Sequence, residues 1–189
     1  FGTTVATNAL LERKGERTLL LVTRGLADLP WIRDQRRPSL FDLEEGWPDP
    51  LCCQVIEIDG RIDAEGREII PVRAPEDLAE RIERERIASV AIVLMNSHRN
   101  PRHEEQIASQ IPDHIPVSLG HMASPELGYL ARVDTTLVDA AITPVLHRSL
   151  RRDRIPDEAL AMRSDGGLCP ALELRAPDAV LSGPAGGVL

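Results

Sequence analysis

Two continuous apolar runs, Thr18-Leu19-Leu20-Leu21-Val22-Thr23 and Ser89-Val90-Ala91-Ile92-Val93-Leu94-Met95, constrain this chain more than any other feature. Neither alternates apolar with polar, so each reads as a strand buried on both faces, needing a layer above and a layer below. Amphipathic stretches surround them. Pro75 opens a helix with Leu78, Ala79 and Ile82 on one face and charges on the other. Pro101 to Gln110 reads as another helix and Val117-Ser118-Leu119 as a short strand. This alternation predicts an α/β domain with a largely parallel sheet.

The flanks are legible in the same way. Thr3 or Thr4 can cap a helix over Val5 to Arg13, with Gly15 as its stop. Gly25 to Pro50 is irregular and proline-rich, with a helical turn near Trp31; loops this long are often functional. Gln54 to Asp59 alternates, and Arg61 to Ile70 reads as a turn and a return strand, together a β-hairpin. Arg132 to Arg152 reads as a long helix, bent at Pro144, with Leu137, Val138, Ala141, Val145 and Leu146 as its stripe. A βαβ-like stretch then runs from Ala159-Leu160-Ala161-Met162-Arg163 through the turn Ser164-Asp165-Gly166-Gly167-Leu168. It ends where a short apolar strand, Ala179-Val180-Leu181, feeds the glycine run Ser182-Gly183-Pro184-Ala185-Gly186-Gly187.

That glycine run carries the first chemical signal. Glycine has no Cβ, so main-chain N–H groups can approach a phosphate, and a following helix would complete the anion site. The chain ends at Leu189 before such a helix, and it opens at Phe1-Gly2-Thr3-Thr4 without an initiator Met. The expectation is an interior segment of a longer phosphate-binding protein.

Charge narrows the partners. With 30 acidic and 22 basic residues the formal net charge is -8, which argues against a general nucleic-acid grip. The arginines of Arg148 to Arg154 have near-helical spacing; they read as a solvated helix end or as a phosphate contact. No apolar run reaches the roughly 18 residues of a membrane span. Cys52, Cys53 and Cys169 show neither zinc nor redox spacing, so idle thiols in a reducing cytoplasm are expected.

Six segments, in order, resemble the hydantoinase/oxoprolinase family, specifically its N-methylhydantoinase A-type chain. They are Gly2-Thr3-Thr4-Val5-Ala6-Thr7-Asn8-Ala9-Leu10-Leu11-Glu12-Arg13; Thr23-Arg24-Gly25 with Arg37-Pro38-Ser39-Leu40-Phe41-Asp42-Leu43; Asn96-Ser97-His98-Arg99-Asn100-Pro101-Arg102-His103-Glu104; Ser124-Pro125-Glu126 with Thr135-Thr136 and Thr143-Pro144-Val145-Leu146; Ser164-Asp165-Gly166-Gly167-Leu168; and Ser182-Gly183-Pro184-Ala185-Gly186-Gly187-Val188. The resemblance implies an α/β, actin/Hsp70/sugar-kinase-like ATPase fold (ribonuclease H-like), incomplete, with a β-hairpin insertion. It implies residues 1–132 as an N-terminal-type region lacking its first phosphate loop, and 133–189 as the start of the ATPase region. The sequence departs from the family at Phe1, where a His is usual, at Gly128 to Arg132, where a more charged run is usual, and at Asp165, where Asn is usual.

The same resemblance implies ATP with a divalent cation, Mg or Mn, a small cyclic-amide substrate of the 5-oxoproline or hydantoin type, and a hydantoinase B-type partner chain or domain. Membrane and nucleic acid are not expected. A lactam resists hydrolysis, and phosphorylating its carbonyl oxygen creates a leaving group that water can exploit. On this reading Ser182, Gly183, Ala185, Gly186 and Gly187 contact phosphate, with Gly166 and Gly167 as a second candidate turn. Thr3, Thr4 and Asn8 are cleft candidates, or Thr3 and Thr4 simply cap a helix. His98 and His103, five apart around a proline, suit loop contacts better than a metal. Asp134 and Asp139, also five apart, are not a facing pair, and no catalytic base stands out. Two alternatives remain at this point: an ATP-dependent ketone carboxylase subunit, and a non-catalytic truncated remnant.

Overall fold

The computed structural model describes residues 1–35, 48–124, 127–156 and 158–180. In chain order the elements are α1 (Val5–Leu11), β1 (Thr18–Thr23), α2 (Leu29–Ile32), β2 (Gln54–Ile62), β3 (Glu68–Arg73), α3 (Leu78–Arg84), β4 (Ser89–Val93), α4 (Arg102–Ala108), β5 (Val117–Leu119), α5 (Gly120–Ala123), α6 (Tyr129–Arg152), β6 (Leu160–Met162), β7 (Leu168–Pro170) and α7 (Ala176–Ala179). A 3₁₀ turn, Ala171–Glu173, precedes α7.

Both continuous apolar runs form strands, and the reason is visible in their packing. The five-stranded sheet has the order β3-β2-β1-β4-β5. β1 pairs in parallel with β2 and β4, and β4 with β5, while β3 returns antiparallel to β2. Leu19, Leu21, Val90 and Ile92 point to one face, where Leu78, Ile82, Ile107 and Ile111 cover them. Leu20, Val22, Ala91 and Val93 point to the other, under Val133, Leu137 and Ala140 of α6. Each buried leucine, isoleucine or valine among them contributes about 1.5–3 kcal/mol relative to exposure. Where β1 and β4 begin, Thr18 Oγ1 meets Ser89 Oγ at 2.8 Å, so the polar ends of both runs satisfy each other inside the core.

A second core lies beyond the sheet. The later half of α6 contributes Ala141, Ile142, Leu146 and Leu150, which pack on Ala6 and Ala9 of α1 and on Ala161, Ala171, Leu174, Ala176 and Ala179. The helix therefore serves two cores with two faces, and it starts three residues earlier than expected and continues through Pro144.

Three expectations are corrected. Ala79 is exposed, and the buried face of α3 is Leu78 and Ile82, four apart. The βαβ-like stretch is an antiparallel β6–β7 hairpin forming its own two-stranded sheet. Its turn closes with Arg163 N donating to Gly167 O (2.8 Å) and Gly166 N to Arg163 O (3.0 Å), with Gly166 at φ 83°. That left-handed residue after a tight turn is the geometry that favours glycine in short hairpins. Finally, Ala179 ends the short helix α7 instead of opening a strand. Pro177 in its first turn and buried Ala176 and Ala179 explain this, since proline fixes a helical φ and the alanines pack on α6.

Among the described residues no helix is long and apolar enough to cross a membrane. The cysteines are free, and burial pushes the Cys52 thiol up to about 12, so it stays protonated.

Candidate functional site

Two polar neighbourhoods stand out. The first lies along the carboxyl edge of β1, β4 and β5, the edge where α/β sheets bind ligands. Glu104 of α4, 0% exposed, organises it. Its carboxylate accepts from Leu94 N (2.9 Å), from His121 N (3.0 Å) and from His121 Nδ1 (2.7 Å), tying β4 and α5 to α4. Thr23, at the end of β1, accepts from Met95 N at 2.8 Å. Arg132, 1% exposed, lies 5.9 Å from the Tyr129 ring centre and donates to His98 Nδ1 at 2.7 Å. Burial first, then the Arg132 and Arg99 charges, hold the His98 imidazole below its ordinary value, favouring the neutral ring. Tyr129 donates to Val93 O (2.8 Å), and burial raises its phenol.

The family-like segment Asn96 to Glu104 thus acts mainly as scaffold. Asn96 Nδ2 donates to Ile62 O, Asn100 Nδ2 to Gly66 O and His103 Nε2 to Glu68 Oε2, at 2.8, 2.8 and 2.9 Å, fastening the β2–β3 hairpin to α4. Neither His98 nor His103 belongs to a metal-like cluster; among the described residues no three His, Cys, Asp or Glu side chains are placed to hold one.

The second neighbourhood gathers several residues expected to lie near phosphate. Phe1 N donates to Leu160 O (2.9 Å) and Met162 N to Phe1 O (2.8 Å), so the start of the Gly2-Thr3-Thr4 segment lies along β6. Thr3 Oγ1 accepts from Val5 N at 3.2 Å, whereas Thr4, at the N-cap, makes no side-chain cap bond and is exposed. Thr7 Oγ1 donates to Val180 O at 2.5 Å. Ser164, in the hairpin turn, donates to Asp178 O through both its N–H (2.6 Å) and its hydroxyl (2.7 Å). The amino-terminal segment, the Ser164-Asp165-Gly166-Gly167 turn and the residue leading into the glycine run therefore form one unit.

Within that unit, Gly166 and Gly167 are exposed at the tip. The Gly167 amide donates to Asp165 Oδ1 at 2.9 Å, so it already serves an anionic oxygen. Asn8 stands apart from the hairpin: it is exposed and lines a cleft of about 580 Å³ with Lys14, Arg148 and Arg152. Arg148 pairs with Glu16 (2.5 Å) and Arg152 with Asp153 (3.3 Å), the solvated helix end foreseen for this run. Ser182, Gly183, Ala185, Gly186 and Gly187 lie outside the described residues, as do Arg37 to Leu43 and Pro125-Glu126.

The sequence alone assigned no role to Thr7, Glu104, Arg132 or Arg175, and it offered Asp139 only as a residue without a facing partner. Glu104 sat inside a recognised segment, but nothing in its spacing marks it as buried. Asp139 and Asp134 are indeed no pair. Asp134 meets Arg33 (2.6 Å), whereas Asp139 accepts from Arg175, Ser118 and Thr143.

Comparison with known proteins sets this geometry in a family. Residues 1–115 match the hydantoinase/oxoprolinase N-terminal region and residues 132–189 the hydantoinase/oxoprolinase domain. The chain is 40% identical over 219 residues to 5-oxoprolinase 1 of Arabidopsis thaliana, covering 100% of this chain and 17% of that protein. The crystal structure of ATP-dependent caprolactamase from Pseudomonas jessenii matches with a TM-score of 0.83 at 31% identity, over 97% of this chain and 29% of that one. Nucleotide-free acetone carboxylase matches in fold, with a TM-score of 0.75 at 21% identity, over 99% of this chain and 30% of that one. The chain thus spans less than a third of the length of each of these relatives. With matches over both parts of its length and an α/β fold of the actin-like ATPase type, the chain belongs to the hydantoinase/oxoprolinase family.

Proposed function

We propose that this chain supplies part of the nucleotide site of an ATP-dependent cyclic-amide hydrolase acting on a 5-oxoproline- or hydantoin-type ring. One observation carries the reading. Phe1 and Thr7, which flank the Gly2-to-Thr4 segment, bond to β6 and to Val180, and Ser164 of the hairpin turn bonds to Asp178, so the three regions are tied into one unit.

The donor set fits a phosphate chain. Thr4 presents an exposed hydroxyl, the Gly167 amide already holds a carboxylate oxygen, and a Cβ at Gly166 would meet open space. In this reading Gly166, Gly167 and Thr4, with Thr3 beside it, border the phosphates. Ser182, Gly183, Ala185, Gly186 and Gly187 complete the contact, and Asn8, on the next turn of α1, borders the separate cleft it shares with Lys14, Arg148 and Arg152. The Asp165 carboxylate at the turn is engaged by the Gly167 amide (2.9 Å) and by Arg163 (3.3 Å), so no described residue is singled out as a ligand for the magnesium or manganese ion. Bound ATP would supply a phosphoryl group to the amide carbonyl oxygen, making ring opening by water feasible. The residues of this chain bind and orient; hydroxyls and turn amides stabilise charge on the phosphates.

The separate family matches over residues 1–115 and 132–189 support a boundary near residue 132, which the packing crosses: α1 sits in the second core and Val133, Leu137 and Ala140 sit on the sheet. The relatives named as a caprolactamase and an acetone carboxylase support ATP use. The relative named caprolactamase subunit alpha supports a hydantoinase B-type partner chain or domain. Free cysteines suit a cytoplasmic setting.

The test is ADP release by the full-length natural polypeptide, with its partner chain, on adding 5-oxoproline or a hydantoin. Substrate-dependent release supports the reading. ADP release that instead requires bicarbonate and a ketone replaces it with a carboxylase. No nucleotide turnover under either condition leaves the non-catalytic reading.

A further inference from the structure

Midway along α6, Asp139 is 4% exposed and gathers donors from three parts of the chain. Ser118 of β5 donates at 2.6 Å, Thr143 at 2.7 Å and Arg175 Nε at 3.0 Å, with Arg175 Nη2 closing the second arm of a fork. The remaining Arg175 nitrogen, Nη1, donates to Met122 O of α5 at 3.0 Å. Thr143 in turn accepts from Ala176 N at 2.9 Å, the first residue of α7. Hydrogen bonding to Asp139 raises the Arg175 guanidinium above its ordinary value, so the pair stays charged.

A buried ion pair adds little net stability, because desolvation offsets most of the attraction. Its fork fixes direction, however, and lysine cannot reproduce that. The direction matters here because Arg175 and Ala176 open the segment that ends at Val180, held at its far end by Thr7. One carboxylate therefore ties the sheet edge (Ser118), α5 (Met122) and the approach to the glycine run to a single point on α6.

We propose that Asp139 and Arg175 are positioning residues: they lock Ala176–Val180 against the edge strand β5 and α5 and so set where the proposed nucleotide-binding segment begins. The proposal rests on the nucleotide reading above. If breaking the fork leaves the aligned arrangement populated about one-tenth of the time, apparent affinity for ATP falls about tenfold.

The experiment uses the full-length natural polypeptide with Arg175→Ala, Arg175→Lys and Asp139→Asn. The first readout is hydrogen exchange of the nucleotide-free protein. Exchange is expected to quicken across residues 171–180 while β1 and β4 stay protected. The second is the split between KM for ATP and kcat. KM is expected to rise about tenfold in Arg175→Ala with kcat within about twofold, and Arg175→Lys should fall between. Glu83→Gln, which removes an exposed contact to His114, should leave both unchanged.

Should the Arg175 variants fail to fold, Ser118→Ala removes one donor and is expected to raise KM about two- to threefold. Folded variants with wild-type KM, or with exchange unchanged over 171–180, overturn the proposal. A fall in kcat at constant KM with faster exchange throughout the sheet also overturns it, since that is the mark of a merely structural pair. A parent that binds no Mg-ATP removes the nucleotide reading and this proposal together. A parent that binds it while every variant behaves as wild type removes this proposal alone.

Discussion

At the scale of single residues, the buried charges decide how the sheet edge is built. Glu104 has no exposed surface, yet three N–H groups from two other elements converge on it. Replacing it with alanine leaves those donors unpaired and opens a cavity. Glu104→Ala is expected to cost more than Glu104→Gln, because each buried N–H donor left unpaired costs about 1–3 kcal/mol. Glu104→Gln keeps the volume and should lose about 1.5–3 kcal/mol, the worth of a hydrogen bond to a charged group. Urea denaturation midpoints measure both, and equal losses would mean that packing, not the carboxylate, organises the edge. None of this was legible beforehand. The segment Asn96 to Glu104 was recognised as a motif, but a motif names residues without saying which of them water reaches.

At the scale of elements, legibility followed length. β1 and β4 are long enough for their unbroken apolar character to exclude other readings, and the β2–β3 hairpin showed itself by alternation and a turn. Ala179-Val180-Leu181 is only three residues, too few to distinguish strand from helix. The proline and aspartate just ahead of it were the overlooked signal, since both favour a first helical turn. Hairpin geometry yields a prediction here. Gly60 has φ 140°, and a Cβ there would sit 2.9 Å from the Val72 backbone and 3.2 Å from His103 Nδ1. It stands where the β2–β3 register shifts, between Asp59 and Arg61. Gly60→Ala should therefore cost more than the roughly 1–2 kcal/mol of a left-handed alanine. Gly166→Ala, with φ 83° and open space around its Cβ, should cost no more than that strain. Thermal unfolding of the two variants checks the order, and a reversed order would mean that the hairpin register yields freely.

At the scale of the whole molecule, α6 joins the two cores, and several large apolar side chains stay in water. Leu160 is 51% exposed, Leu168 58%, Met122 63% and Leu11 77%. In the β6–β7 pairing Leu160 stands opposite Pro170 and Leu168 opposite Met162, so the two leucines are diagonal neighbours on one small sheet. Apolar surface of this kind marks contact sites or drives association. Because the 189-residue chain spans less than a third of each relative, on its own it is expected to self-associate and to bind Mg-ATP weakly or not at all. Light scattering should show Leu160→Glu with Leu168→Glu reducing the association. A monodisperse monomer, or tight Mg-ATP binding by calorimetry, would contradict the expectation.

Sequence alone determined the strands of the sheet, the long helix and the family resemblance, because these depend on neighbours a few residues apart and on ordered motifs. Tertiary structure decided which charges are buried and what they hold. Asp139 meets Arg175 across 36 positions of chain, Thr7 meets Val180 across 173, and Glu104 joins two elements on either side of its own. A charge can enter the core only when a partner arrives with it, and that partner comes from folding, beyond the reach of any local pattern.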